Sequence, residues 1–360
     1  MKQSRFYFLD ILRGLAALAV VFYHWRHFSY VGISNEFVKT SEFPFYSLFG
    51  IFYDYGFLSV YLFFILSGFI FFFLYYDKIK EKSISFWNFS VLRISRLYPI
   101  HIITLLSVLI LQNTLYKIYK TYLVYPENDL YHFILNILFI QSLGFEKGFS
   151  FDYPSWSVSV EIFVYILFFI TCILISKKYI TLIFMIFLGL FVMRTNAQIG
   201  MGILYFFIGG IIYEIYLKLY KLKEIYSIIN IKNIVKFVLV STVVISVVVY
   251  YAIFDNYFLF YGIIFGTLIL SLVLIQSRLK YNEKYIPKLG IFFNSISYSS
   301  YLIHFPLQLI FIIIFGMNSE IFNREYILFL FFGILIILST LSYRFYETPI
   351  QNIIRNKFLK

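Results

Sequence analysis

Charge is scarce in this 360-residue chain: Asp, Glu, Lys and Arg together make up only 13% of it. A soluble globular domain carries about twice that share. With 61% hydrophobic residues and a mean hydropathy of +0.83, a water-soluble fold is excluded. Cysteine is scarcer still. Cys172 stands alone in an apolar run, which rules out an intrachain disulfide and a cysteine-built metal centre, and its expected role is packing. Acidic residues are few, 18 against 30 Lys and Arg, for a net charge of +12. The basic residues crowd into short loops between apolar runs, the distribution that marks cytoplasmic loops, so no nucleic-acid partner is expected. Segments of alternating polarity are missing too. Apolar runs of about 20 residues cross a roughly 30 Å hydrocarbon core as helices and exclude a strand-built barrel. The expected fold class is all-α, a polytopic membrane protein.

Helix-length apolar runs lie over 6–25, 57–76, 97–112, 156–176, 179–193, 199–217, 236–254, 257–276, 290–315 and 326–346, about ten crossings. Lys and Arg gather before the first, between the second and third, at 176–178, in 218–236, in 278–288 and after 343, all of which the positive-inside rule puts in the cytoplasm. Counting 130–143 ("LYHFILNILFIQSL") as a further span would move the basic loop 218–236 outside. That segment is therefore read as a re-entrant or interfacial piece, with both termini cytoplasmic. No internal repeat or linker marks a second domain. The expectation is a single transmembrane domain over 1–360 with its core at about 5–347.

The first run, "FYFLDILRGLAALAVVFYHW", carries Asp10, Arg13 and His24. Lys2 and Arg5 ahead of an apolar stretch resemble a secretion signal, but two charges interrupt the stretch that should be uniformly apolar, so a mature helix is expected. At about 100° and 1.5 Å per residue, Arg13 and His24 share a face roughly 16 Å apart. Asp10 can pair with Arg13 three residues on. Charges inside a membrane are costly and usually mark function; the alternative is a pair that only fixes helix packing. At matching depths, Glu161 lies below Trp156 in "SWSVSVEIFVY" and His304 lies in the outer part of the ninth run, while Arg93 and Arg96 sit at the inner surface before Pro99. A basic inner mouth below a histidine and carboxylate cluster suits an elongated cytosolic donor with an anionic head, and acyl-CoA has that form. Guanidinium groups bind phosphates bidentately, and histidine is the natural general base for a hydroxyl.

Six ordered blocks carry a family resemblance: "LDILRGLAALAVVFYH" 9–24, "VYLFFILSGFIF" 60–71, "LRISRLYPIH" 92–101, "WSVSVEIFVY" 156–165, "SISYSSYLIHFPL" 295–307 and "YRFYETPI" 343–350. The chain resembles the acyltransferase family 3 membrane proteins, which O-acylate bacterial cell-surface glycans and some antibiotics. That resemblance implies a ten-helix core in a bacterial inner membrane, His24 as the essential histidine, Arg13, Arg93 and Arg96 on the donor side, and acetyl-CoA as the usual donor. Glu161 matches the glutamate of the family's "WSxSxE" block. Many members add a C-terminal extracytoplasmic hydrolase-like domain. The sequence here runs to Lys360, so transfer is expected to be completed by the membrane core or with a separate partner.

The function expected is O-acyl transfer, acetyl first, from cytosolic acyl-CoA to a sugar hydroxyl of a cell-surface or lipid-linked polysaccharide. His24, Glu161 and His304 are the catalytic candidates, Arg13, Arg93 and Arg96 hold the donor, and no metal is expected. His24 can act as base or as nucleophile. His304 is either a second catalytic group or a satisfied interior histidine, while His27, His101 and His132 read as ordinary interfacial residues. Gly68 permits close helix approach or lines the donor path, and Glu347 pairs with Arg344 as a C-terminal lock. The rival readings are a secondary transporter or flippase of a polysaccharide precursor, in which the same ionisable groups line a pathway, and a non-catalytic membrane scaffold.

Overall fold

The computed structural model describes residues 5–30, 40–174, 177–225, 257–277, 284–317 and 319–359. Among these the chain is helical and holds no strand. In chain order the helices are α1 (Tyr7–His24), α2 (Tyr46–Tyr55), α3 (Ser59–Lys80), α4 (Phe86–Tyr119), α5 (Leu130–Ile137), α6 (Trp156–Leu174) and α7 (Lys178–Val192). There follow α8 (Ala197–Ile225), α9 (Tyr257–Gln276), α10 (Tyr285–Phe315), α11 (Glu325–Ser342) and α12 (Thr348–Phe358), the last two joined by a π-helical turn over Tyr343–Glu347. Eight helical segments among the described residues are long and apolar enough to cross a membrane, and α7 is a shorter apolar helix. The run expected over 236–254 lies outside the described residues.

Where the helices differ from the sequence reading, local chemistry explains it. α4 starts eleven residues ahead of the expected Leu97, because the Ser85 hydroxyl caps it by accepting from the Asn88 N–H at 3.1 Å. Arg93 and Arg96 therefore stand inside α4 and not ahead of it. Pro99 also lies inside α4, and hydroxyls from neighbouring helices donate to the carbonyls beside it: Tyr298 to Leu97 at 2.9 Å and Tyr346 to Pro99 at 3.3 Å. Within 26–56, read as an outer loop, the chain forms a 3₁₀ turn over Trp25–Ser29 and the ten-residue α2. α5, eight residues inside the doubtful segment 130–143, rises only about 12 Å and is too short to span.

The chain divides into two compact units. The first comprises Met1–Arg13, Val60–Ile84 and Val164–Asn294. Aromatic packing dominates it: Phe71 stacks on Tyr165 with ring centres 3.9 Å apart, and Phe168, Phe206 and Phe207 fill the space around. Gly68 of α3 and Gly209 of α8 bring two backbones into contact, since a Cβ on either would overlap a carbonyl oxygen of the other helix, Phe206 or Ile65. Gly68 is thus a packing residue, as small residues between membrane helices usually are. Lys178 pairs with Glu214, with its ammonium 3.9 Å from the Tyr76 ring centre.

The second unit comprises Gly14–Ser59, Ser85–Phe163 and Ser295–Lys360. Its core gathers Trp25 and Phe28 from the 3₁₀ turn with Phe305, Phe311, Phe322 and Phe331. Trp25 donates its indole N–H to the Phe322 carbonyl at 3.2 Å, and Phe28 stacks on Phe322 at 4.1 Å. These bonds pin the turn that follows α1. Arg26 is pinned as well, donating to the carbonyls of Tyr23 at 3.0 Å and Tyr53 at 2.9 Å.

Candidate active site

The site grows from the end of α1. An α-helix leaves its last carbonyls without partners, and here the chain tightens into a 3₁₀ turn directly after His24. In a 3₁₀ turn side chains at i and i+3 eclipse. His27 consequently lies against His24, with His24 Nδ1 3.1 Å from His27 Nε2. The carbonyl of His24 accepts from Gln308 Nε2 at 2.8 Å, and Gln308 Oε1 lies 2.9 Å from His27 Nδ1. The Tyr125 hydroxyl approaches His27 Nε2 at 3.2 Å.

Gln308 and His304 stand four residues apart on α10 and so share a face. His304 stacks on His24 with ring centres 5.1 Å apart. Its Nδ1–H donates to the carbonyl of Tyr301, one turn back, at 2.7 Å. The opposite nitrogen, Nε2, has no hydrogen-bond partner among the described residues although His304 is 0% exposed. His27 is nearly as deep at 3%, whereas His24 keeps accessible surface. Of the three stacked and bonded imidazoles, His24 is therefore the one with the most accessible surface.

The structure brings His24 and His304 together as expected. Glu161, in the second turn of α6, is half-buried, and its charge acts on Tyr298 and Tyr301 of α10. Tyr301 is in turn fixed by its neighbours, donating its hydroxyl proton to the Pro154 carbonyl at 2.5 Å and accepting from Ser157 at 2.7 Å. Arg93 and Arg96, one turn apart on α4, are half-buried, and the charge of Arg96 acts on Tyr298 and Glu347. Arg13 is half-buried in α1.

Two pairings differ from the sequence reading. Asp10 is bound by Arg5 at 2.6 Å and not by Arg13. Arg5 precedes the helix, so its side chain is free to fold back over the first turn, where a carboxylate is also favoured by the helix dipole. Arg13 keeps no ion-pair partner among the described residues. Glu347 does not pair with Arg344; it accepts from Ser299 at 2.5 Å and Ser342 at 2.9 Å. The π turn over 343–347 aims Glu347 inward, while Arg344 covers the Phe345 ring at 5.4 Å.

His27 and Gln308 are the residues that sequence reasoning missed. The spacing of His24 and His27 is visible in the sequence, but the tightening at Trp25 that makes three-residue neighbours eclipse is not. His101 and His132 play structural parts: His101 donates to the Asn136 carbonyl at 2.9 Å, and His132 donates through Nδ1 to Asp129 at 2.7 Å. Glu127, Asp129 and His132 place ligand atoms within 4.8 Å of one another. Both ring nitrogens of His132 are already engaged, however, Nε2 accepting from the Lys147 N–H at 3.2 Å. Asp129 also caps α5, and the His132 backbone N–H holds its carboxyl below the usual range. The trio is a capped helix start.

A second buried acid lies in the loop before α6. Asp152 is 0% exposed, and neither carboxylate oxygen has a hydrogen-bond partner among the described residues. Burial pushes its carboxyl well above the ordinary range. An acid raised in the folded state binds its proton more tightly there than in the unfolded chain. Stability is then highest at low pH and declines as pH rises above the unfolded titration point, by up to about 1.4 kcal/mol per pH unit. Asp152→Asn should remove this decline. Thermal melting in detergent from pH 4 to 8 is expected to show the variant overtaking the wild type as pH rises; parallel curves would contradict it.

The family model described as an acyltransferase domain (Acyl_transf_3) matches residues 6–343, nearly the whole chain and both compact units. No curated protein and no solved structure matches. With its apolar membrane-length helices and that match, the chain belongs to the acyltransferase 3 family and is a multi-pass membrane acyltransferase.

Proposed function

We propose that the protein is an O-acyltransferase of a bacterial inner membrane, moving an acyl group, acetyl first, from cytosolic acyl-CoA to a sugar hydroxyl of a cell-surface or lipid-linked polysaccharide. The observation that carries this reading is His24: an accessible imidazole at a helix end, with its Nδ1 engaged by His27 and its ring stacked on His304. Such a ring offers a base to a hydroxyl. His24 takes the hydroxyl proton as the sugar oxygen attacks the thioester carbonyl. When the tetrahedral intermediate collapses, the carbon–sulfur bond breaks and the proton goes to the CoA sulfur. General-base assistance of this kind contributes about 10²- to 10⁴-fold.

In this reading Arg13, Arg93 and Arg96 hold the CoA phosphates, and the guanidinium of Arg13, in a membrane helix without an ion-pair partner among the described residues, supports that role. Glu161 is assigned to orienting or charging His24 in this reading; its charge acts on Tyr298 and Tyr301 of α10, the helix that carries His304. His304 stacks its ring on that of His24. Arg13→Ala is expected to weaken CoA binding by about 10- to 100-fold, the worth of a hydrogen bond to a charged group, and to leave acceptor affinity unchanged. Titration of the purified protein with CoA checks this, and an unchanged CoA affinity would remove Arg13 from the donor site.

A further inference from the structure

The hydrogen bonds around Gln308 fix where the protons lie. The atom 2.8 Å from the His24 carbonyl must be the amide nitrogen, because a carbonyl only accepts. Oε1 is then an acceptor, so His27 Nδ1, 2.9 Å away, carries a proton. Neutral His27 therefore has its lone pair at Nε2. That lone pair faces His24 Nδ1 at 3.1 Å, and two ring nitrogens at that distance must share one proton. A proton on His24 Nδ1 satisfies this contact, with the Tyr125 hydroxyl meeting the same His27 nitrogen at 3.2 Å, and it leaves His24 Nε2 as its basic atom.

We propose that His27 and Gln308 are positioning residues that hold His24 in the Nδ1–H tautomer and accept its surplus proton during transfer. The proposal rests on the reading of His24 as the base. When the sugar hydroxyl gives its proton to His24 Nε2, the Nδ1 proton passes to His27 Nε2. His27 is then an imidazolium, donating through Nδ1 to the Gln308 carbonyl and through Nε2 to His24, with the Tyr125 oxygen as a further acceptor at 3.2 Å. On collapse of the intermediate the proton returns by the same path, and His24 Nε2 protonates the departing CoA sulfur. In hydrolytic triads a carboxylate fixes the tautomer of the catalytic imidazole and steadies its charge without taking the proton; His27 shares the positioning role and differs in accepting the proton. Here an imidazole and a neutral amide serve, which suits a membrane interior where a fixed charge is costly. The titratable and charged groups facing His27 are His24 and Arg26 on its own segment, His304 from α10, and Tyr125, on which the charge of Asp152 acts.

The test is ring-nitrogen NMR of protein labelled with ¹⁵N in its five histidines, together with pH–rate profiles. In the wild type the resonances lost in His24→Ala should show a protonated Nδ1 and an unprotonated Nε2. His27→Phe and Gln308→Leu should shift His24 toward the other tautomer and lower kcat at least tenfold, with KM for acyl-CoA unchanged. Gln308→Glu, which keeps the acceptor for His27 Nδ1, adds a charge and gives up the donor to the His24 carbonyl, should move the acid limb of the residual activity's profile upward by about one pH unit or more. A merely structural pair would move none of these with KM fixed. An unprotonated His24 Nδ1 in the wild type, or wild-type kcat in both His27→Phe and Gln308→Leu, overturns the proposal. Normal transfer by His24→Ala, with the tautomer as assigned, would sink the base reading and the proton transfer to His27 with it, and leave standing only that His27 and Gln308 fix the His24 tautomer.

Discussion

Replacing His24 by alanine is expected to lower acyl transfer by about 10²- to 10⁴-fold, the usual worth of a general base, while leaving CoA binding intact. The separation of the two effects follows from position. His24 is the last residue of α1, and its structural anchor is its backbone carbonyl, bonded to Gln308, which alanine retains. The side chain itself keeps accessible surface, so its removal opens no sealed cavity. His304 does not replace it, because that ring has no accessible surface from which to meet a substrate. Single-turnover transfer from labelled acetyl-CoA, measured beside CoA affinity, checks both halves. Wild-type rates in the variant would remove His24 from the chemistry.

The second large effect concerns Gly68. In an ordinary helix interior glycine is about 1 kcal/mol worse than alanine, so propensity alone makes Gly68→Ala stabilising. Packing reverses the sign. A methyl group on Gly68 would overlap the Phe206 carbonyl oxygen, and one on Gly209 would overlap that of Ile65. The obstacle is backbone on both sides, so no side chain can turn away, and the helices must separate. Gly68→Val is expected to cost about 3 kcal/mol or more, the upper range for overpacking. Gly333, exposed on α11 with nothing within 4 Å of the place a methyl group would take, is the internal control, and Gly333→Ala should be neutral or stabilising. Melting temperatures in detergent would show opposite signs for the two sites. Equal behaviour would mean that α3 and α8 do not meet through their glycines.

Much of this was legible in the sequence because membrane-length apolar runs leave so few options. The ionisable residues stood out against them, and His24 and His304 could be placed at one depth by counting helical rise. The family blocks pointed to the same positions. What stayed hidden depended on backbone changes of a single turn. The 3₁₀ tightening after His24 puts His27 beside it and turns an ordinary-looking histidine into a bonded partner. The π turn at 343–347 sends Glu347 to Ser299 and Ser342 in place of Arg344. Asp152 gave no signal at all, since nothing in "FDYP" tells a solvated loop carboxylate from a buried one.

The most direct measurement is to reconstitute the purified protein in lipid, supply acetyl-CoA labelled in its acetyl group, and follow the label into a glycan acceptor. Label should pass to a sugar hydroxyl as CoA thiol is released in equal amount, and the transfer should fail with His24→Ala. Movement of the glycan precursor across the bilayer without any acyl transfer would contradict the account.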